Sequence, residues 1–246
     1  MLVKQKVKYI QTLGQKKFRQ EEGLFIAEGP KLVKELLEAD AASVQDVYAV
    51  KEWIDDNKKL LGKTSVTEIS EIELEKISQL TTPNKVVAIV QQYGAGDTIS
   101  VKDRVTLVLD NVQDPGNLGT IIRIADWFGV EQIVCSPDSA DMYNPKVVQS
   151  TMGSIARVKV YYRDLEEWLD SQKDVLIYAA SLDGLDVTTM EKIKEGIIVF
   201  GNESKGISSE ILCLTNIKIT IPQKGKAESL NVGVAAGIIL SHLISH

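Results

Sequence analysis

Between Val105 and Ile221 the chain repeats short, almost wholly apolar runs separated by stretches of helical periodicity: Val105–Leu109, Gln132–Cys135, Val175–Ala179, Ile197–Phe200 and Ile217–Ile221. Runs that are apolar on both faces predict a parallel sheet covered by helices on each side. The chain then closes in Leu230–Leu243, a stretch rich in Ala, Gly and Ile. So apolar a closing helix is expected to be buried, in the core or against a second subunit.

The first hundred residues follow a different rhythm. An amphipathic basic helix through about Gln20 leads to the strand Leu24–Ala27 and to a helix Pro30–Glu38 with proline in its first turn. Strands are predicted at Val47–Val50, Ser65–Thr67 and Val86–Gln91, with helices near Glu52–Leu60 and Glu71–Leu80 between them. This describes a small three-layer α/β unit. The stretch Tyr93–Asp97 holds two glycines and no apolar periodicity, and marks the linker. Two domains are therefore expected, over residues 1–95 and 103–246.

Composition narrows the possibilities. Of 246 residues, 44 % are hydrophobic and 25 % charged, which excludes disordered and fibrous chains. No apolar run reaches the roughly 18 residues of a membrane span, and MLVKQKVKYIQ lacks a signal-peptide core, so a cytoplasmic protein is expected. Cys135 and Cys213 have no histidine near them; they give no zinc spacing and read as buried small hydrophobes. No metal is expected. The two histidines, His242 and His246, fall in the last five residues, so an imidazole base is not anticipated. Net charge is −6, yet residues 1–34 carry eight Lys or Arg against three acids. A basic arm on an acidic body suits a polyanion, and a solvated helix face is the equally simple alternative.

Ligands of an open parallel sheet bind beyond the carboxyl ends of the strands. Three loops qualify: Asp110–Gly119 running into the helix that holds Arg123, Gly201–Gly206, and Ile221–Asn231. Gly201 and Gly206 have the glycine spacing of a phosphate loop, but Ile207 occupies the lysine position. No G-x-G-x-x-G follows any strand, which removes the common dinucleotide fingerprint and the glycine loop of ordinary methyltransferases.

The loops carry a resemblance. DPGNLGTIIRIADWFGV, FGNESKGIS and IPQKGKAESLNVGVAA resemble the three successive motifs of the SpoU family, in the knotted SPOUT class of RNA 2′-O-ribose methyltransferases. The stretch from Ser139 through Asn144–Val148 to Ser154 follows the same pattern, and the likeness covers about residues 103–246. The preceding domain resembles the ribosomal-protein-like RNA-binding domain found in many members. The resemblance implies a C-terminal trefoil knot, S-adenosyl-L-methionine as cofactor, an RNA substrate and a homodimer through the knotted domain. Ribosomal RNA comes first as substrate, transfer RNA second.

By that resemblance Gly201, Ile221 and Leu230 hold the cofactor adenine, and Arg123 is the catalytic arginine. Asn117, Glu203, Ser229 and Asn231 match the polar positions that orient arginine, ribose and loops. Taken singly, these residues have plainer readings: Arg123 on a helix surface, Glu203 in a turn, Ser229 as the cap of the last helix. Their joint placement on three strand-end loops favours a site. Three positions depart from the pattern, Gln149 for arginine, Gln223 for methionine and Gly233 for serine. The rivals are a non-catalytic RNA-binding dimer that keeps the fold, and a methyltransferase acting on a base.

Overall fold

The computed structural model describes residues 2–244; Met1, Ser245 and His246, with its imidazole, lie outside them. Two compact units divide the chain. One comprises residues up to Gly94 together with Asp141–Arg157, and the other Ala95–Ala140 with Val158 onward.

In the first unit, α1 (Lys4–Thr12), α2 (Lys16–Glu22), β1 (Leu24–Glu28), α3 (Pro30–Asp40), β2 (Val44–Ala49), α4 (Lys51–Leu61), β3 (Ser65–Glu68), α5 (Glu71–Ile77) and β4 (Val86–Gln91) follow in order. The sheet order is β1-β4-β2-β3. Strand β4 is antiparallel to both neighbours, and β3 runs parallel to β2. The alternation of β1 explains the layers. Leu24 and Ile26 join Ile10, Leu13, Leu74 and Ile77 in one core, whereas the Phe25 ring meets Tyr143 at 5.0 Å between centroids. Tyr143 precedes the helix Pro145–Thr151, so residues 141–157 complete the layer opposite α1 and α5.

The single basic helix expected through Gln20 is instead two, broken at Leu13–Gln15. Arg19 is the reason. Its guanidinium is buried and donates to the Leu13 and Gly14 carbonyls at 3.1 and 2.7 Å, and to Asp141 Oδ2 at 2.6 Å. A residue counted in the basic arm thus serves the fold. Lys4, Lys8, Lys16 and Lys17 remain exposed.

The second unit contains β5 (Val105–Leu109), α6 (Pro115–Trp127), β6 (Gln132–Cys135), β7 (Lys159–Tyr162), α8 (Leu165–Asp170), β8 (Ile177–Asp186), β9 (Gly196–Phe200), α9 (Ser209–Cys213), β10 (Ile217–Thr220) and α10 (Val232–Leu243); α7 is the helix Pro145–Thr151. All six strands are parallel, in the order β10-β8-β9-β5-β6-β7. The parallel sheet is the expected one, with β7 as an additional strand and β8 extended well past Ala179. Cys135 is buried, and burial pushes its thiol pKa up, which leaves it inert. Cys213 is exposed, against expectation, because α9 is a short surface helix that buries only Ile211.

Helix α10 begins at Val232, two residues later than expected. Its cap is Asn231, whose Oδ1 accepts from the Gly233 and Val234 N–H groups, and not Ser229. The small residues of α10 face its own unit: Ala236 is fully buried, a Cβ on Gly233 would stand 3.1 Å from Thr120 Cγ2, and one on Gly237 would stand 3.6 Å from Ile124 Cδ1. They bring α10 close against α6, with both helices running the same way.

Candidate active site

The site lies at the carboxyl ends of β5, β9, β8 and β10, where loops leave a fully parallel sheet. Pro115 and the Asp114 cap start α6, with Asp114 Oδ1 accepting from the Asn117 N–H at 2.8 Å. This places Asn117 in the first turn of the helix. From there Asn117 Nδ2 donates to Glu203 Oε1 at 2.5 Å, and Asn117 Oδ1 accepts from Asn231 Nδ2 at 2.8 Å. One carboxamide thus ties together all three motif loops.

Behind this chain lies a second set of links. Ser208 N–H donates to buried Asp110 Oδ2 at 2.7 Å, and Asn202 Nδ2 donates to the Asn111 carbonyl at 2.8 Å. Asn202 Oδ1 also accepts from the Ser204 and Lys205 N–H groups. Asn111 has φ 58°, a backbone that asparagine tolerates better than most residues, and its N–H is held by Ser136 Oγ at 2.9 Å. Asp110, Asn111 and Asn202 stand in the strand-end loops marked out from sequence, where none of the three was given a role in the site. Their placement directly after apolar strands was the available signal.

A cavity of about 940 Å³ opens beside the network, lined by Gly201, Glu203, Ile221, Ser229 and Leu230 among others. All three residues expected to hold the cofactor share it. Its size suits a nucleoside-containing ligand, and Phe200, Ile207 and Ile239 give it apolar walls. Gly201 is required by the loop itself: a Cβ there would stand 2.2 Å from the Gly206 carbonyl carbon, where Asn202 and Gly206 exchange backbone hydrogen bonds at 2.9 Å. Gln223 closes the next loop by donating from Nε2 to the Gly225 and Ala227 carbonyls at 3.1 and 2.6 Å.

Arg123 sits apart from this cluster. It is exposed on α6, six residues and about 9 Å of helix axis beyond Asn117, and does not line the cavity. Gln149 lies in the first unit, where a Cβ on Gly29 would approach its Nε2 at 4.0 Å. Among the described residues no group of three or more His, Cys, Asp and Glu could hold a metal, and no helix is long and apolar enough to cross a membrane.

Comparison with known proteins gives this geometry a context. Residues 4–88 match the MRM3-like substrate binding domain. The 23S rRNA (guanosine(2553)-2'-O)-methyltransferase RlmP of Bacillus subtilis is 32% identical over 242 residues, 97% of this chain and 96% of that protein. A TrmH-family structure from Porphyromonas gingivalis superposes with a TM-score of 0.87 at 33% identity, covering 99% of this chain and 98% of that one. An AdoMet-bound rRNA methyltransferase from Sinorhizobium meliloti gives 0.85 at 31% identity, covering 98% and 95%. Residues 104–241, which hold the network and the cavity, match the SpoU rRNA Methylase family, and the chain belongs to that family.

Proposed function

We propose that the protein transfers a methyl group from S-adenosyl-L-methionine to a ribose 2′-oxygen of ribosomal RNA. The observation that carries this is the convergence of Asn117, Glu203 and Asn231 beside a cavity shared by Gly201, Ile221 and Leu230. The cofactor, when bound, supplies an electrophilic methyl group on a sulfonium centre. Ile221 and Leu230 offer apolar side chains and main-chain hydrogen-bonding groups to a purine, and the bridge between Asn202 and Gly206 fixes the loop that carries Glu203.

A ribose hydroxyl is a poor nucleophile and must lose its proton as it attacks. A guanidinium offers hydrogen-bond donors and no acceptor, so the role of Arg123 is to clamp an RNA phosphate and to stabilise negative charge developing on the 2′-oxygen. The linked chain of Glu203, Asn117 and Asn231 holds the three loops in register, and Ser229 stands beside them on the cavity rim.

The first unit is the substrate-docking module in this reading. Support comes from its match to a substrate-binding domain and from the exposed Lys4, Lys8, Lys16 and Lys17. A homodimer through the knotted C-terminal domain fits two exposed apolar side chains, Trp127 on α6 and Val234 on α10, and ribosomal RNA as substrate fits a cytoplasmic location. The test is methyl transfer from labelled cofactor to ribosomal RNA of cells lacking the gene, with the 2′-O-methyl site mapped. Absence of binding to S-adenosylhomocysteine at millimolar concentration overturns the reading in favour of a non-catalytic RNA-binding dimer.

A further inference from the structure

The loop after β10 runs exposed from Pro222 to Asn231 without one buried side chain. Burial therefore does not fix its shape, and Gln223 does. Its Nε2 donates to the Gly225 carbonyl at 3.1 Å and to the Ala227 carbonyl at 2.6 Å, folding residues 223–227 into a closed turn. The methionine of the family pattern has no donor and could make neither bond. The clasp is a property of this chain.

The closed turn carries Lys224 and Lys226, one on each side of Gly225 and both exposed. Lys224 lines the 940 Å³ cavity, as does Lys205 from the loop after β9. None of the three pairs with a carboxylate among the described residues, whereas Lys218 of β10 is held by Asp183 at 3.2 Å. The acids of these two loops are Glu203 and Glu228, and Glu203 is already engaged by Asn117. The surrounding unit carries nineteen Asp or Glu against twelve Lys or Arg. Three unpaired cations on two loops around one cavity stand out against that acidic background.

We propose that these loops grip the backbone of the substrate RNA: Lys224, Lys226 and Lys205 bind the phosphates flanking the target nucleotide, and Gln223 is the positioning residue that holds Lys224 and Lys226 in place. The proposal rests on the methyl-transfer reading above. Chemistry selects the strand over the methyl donor. The donor carries an ammonium and a sulfonium against a single carboxylate, and gains little from three cations. A ribose that brings its 2′-oxygen to the donor brings a phosphate on its 5′ side and another on its 3′ side to the rim of the cavity. Lysine suits such a contact as a point charge on a flexible stem. A lysine on a closed turn loses less backbone freedom on binding than one on an open loop, and that is what the clasp contributes.

The test compares the full-length wild type with K224A/K226A, K205A and Q223M, using ribosomal RNA from cells lacking the gene. All four side chains are exposed, so every variant should keep the wild-type melting temperature. In K224A/K226A the KM for RNA should rise about ten-fold with kcat within about two-fold, and the slope of log Kd for RNA against log salt should flatten by about 1.4, two contacts to a single strand. K205A should flatten it by about 0.7. Q223M keeps every charge, so its KM for RNA should rise about three-fold while the salt slope stays that of the wild type, a pattern that loss of a charge does not produce. Calorimetry should give S-adenosylhomocysteine affinities within about two-fold of wild type throughout. Unchanged KM and slope in K224A/K226A overturn the RNA assignment, and a wild-type KM in Q223M overturns the role of Gln223. A greater loss of S-adenosylhomocysteine affinity than of RNA affinity gives the lysines to the cofactor and overturns the proposal as well. A wild type that binds no S-adenosylhomocysteine removes the methyl-transfer reading itself, a result separable from the others.

Discussion

Asn231 Nδ2 donates to Asn117 Oδ1 at 2.8 Å across 114 residues of sequence, and both ends of this contact have their direction fixed. Glu203, as a carboxylate, can only accept, so Asn117 must turn its amide nitrogen toward it and its oxygen toward Asn231. The Gly233 and Val234 N–H groups can only donate, so Asn231 must turn its oxygen to the helix and its nitrogen to Asn117. The α10 terminus, two carboxamides and a carboxylate thus form one chain of donors and acceptors that leaves neither amide free to flip.

Asn231→Asp isolates the functional half of that chain. Aspartate caps a helix as well as asparagine does, so the melting temperature should stay within a few degrees. It cannot donate to Asn117, and the network loses one of its two amide links. Turnover is expected to fall about ten-fold or more, equivalent to ~1.4 kcal/mol, the scale of one hydrogen bond between neutral groups. Steady-state methyl transfer beside a thermal melt checks both halves; wild-type turnover in a normally folded variant contradicts the role.

Arg123→Ala should lower turnover by at least ~10²-fold, about 2.7 kcal/mol of transition-state stabilisation, and leave S-adenosylhomocysteine affinity unchanged. Separation of the two effects is expected because Arg123 is exposed on α6 and does not line the cavity. Near-wild-type methylation would make Arg123 an ordinary surface residue.

The strands that were legible in sequence are those whose burial is local. Val105–Leu109 and Ile197–Phe200 are buried at every position, so their side chains alone declare a parallel sheet. Strand β7 was not: its four residues begin with an exposed lysine and pair on one side only, at the sheet edge. The end of β8, beyond the expected Ala179, was not legible either, because its pairing depends on a register jump between Lys218 and Ile219 of β10. Site residues on strand-end loops were recognisable by position. The cross-links of Asp110 and Asn202, and the burial of Arg19, depend on partners about a hundred residues away and leave no local pattern.

Glu28 predicts a pH dependence of opposite sign to that of a surface ion pair. Burial at the end of β1 raises its carboxyl pKa, against the opposing pull of the Ser78 hydroxyl and the Gln79 N–H at 2.7 Å. The folded state therefore holds the proton more tightly than the unfolded state. Between the ordinary glutamate pKa and the raised one, the contribution of Glu28 to stability falls as pH rises. In Glu28→Gln that slope disappears, so the stability difference between variant and wild type should move in favour of the variant from pH 4 to pH 7. Urea denaturation at several pH values measures it, and a constant difference would show that Glu28 does not titrate as proposed.

The Arg19–Asp141 pair predicts strong coupling between distant stretches of sequence. Asp141→Ala leaves the Arg19 guanidinium buried with only the Leu13 and Gly14 carbonyls, and should cost about 3–5 kcal/mol. Adding Arg19→Met removes the unpaired charge, so the double variant should be more stable than the sum of the single changes implies. Additive losses in a denaturation cycle would mean that the pair does little to bind residues 141–157 into the first unit.

The homodimer prediction separates two kinds of apolar residue in the C-terminal region. Ala236 is fully buried within its own chain, so Ala236→Glu should unfold the domain, whatever its oligomeric state. Trp127 and Val234 are 83% and 52% exposed, on two helices that pack together through Gly233 and Gly237. A glutamate at either position costs a monomer almost nothing because it remains in water. Inside a subunit interface the same carboxylate is desolvated without a partner, at a cost of several kcal/mol. Val234→Glu and Trp127→Glu should therefore halve the mass seen by light scattering and lower methyl transfer, while the circular dichroism spectrum stays that of the wild type. The wild type should hold a mass about twice the 27.1 kDa of one chain across a micromolar dilution series. A fully active wild type at the single-chain mass would show that these exposed side chains serve some purpose other than self-association.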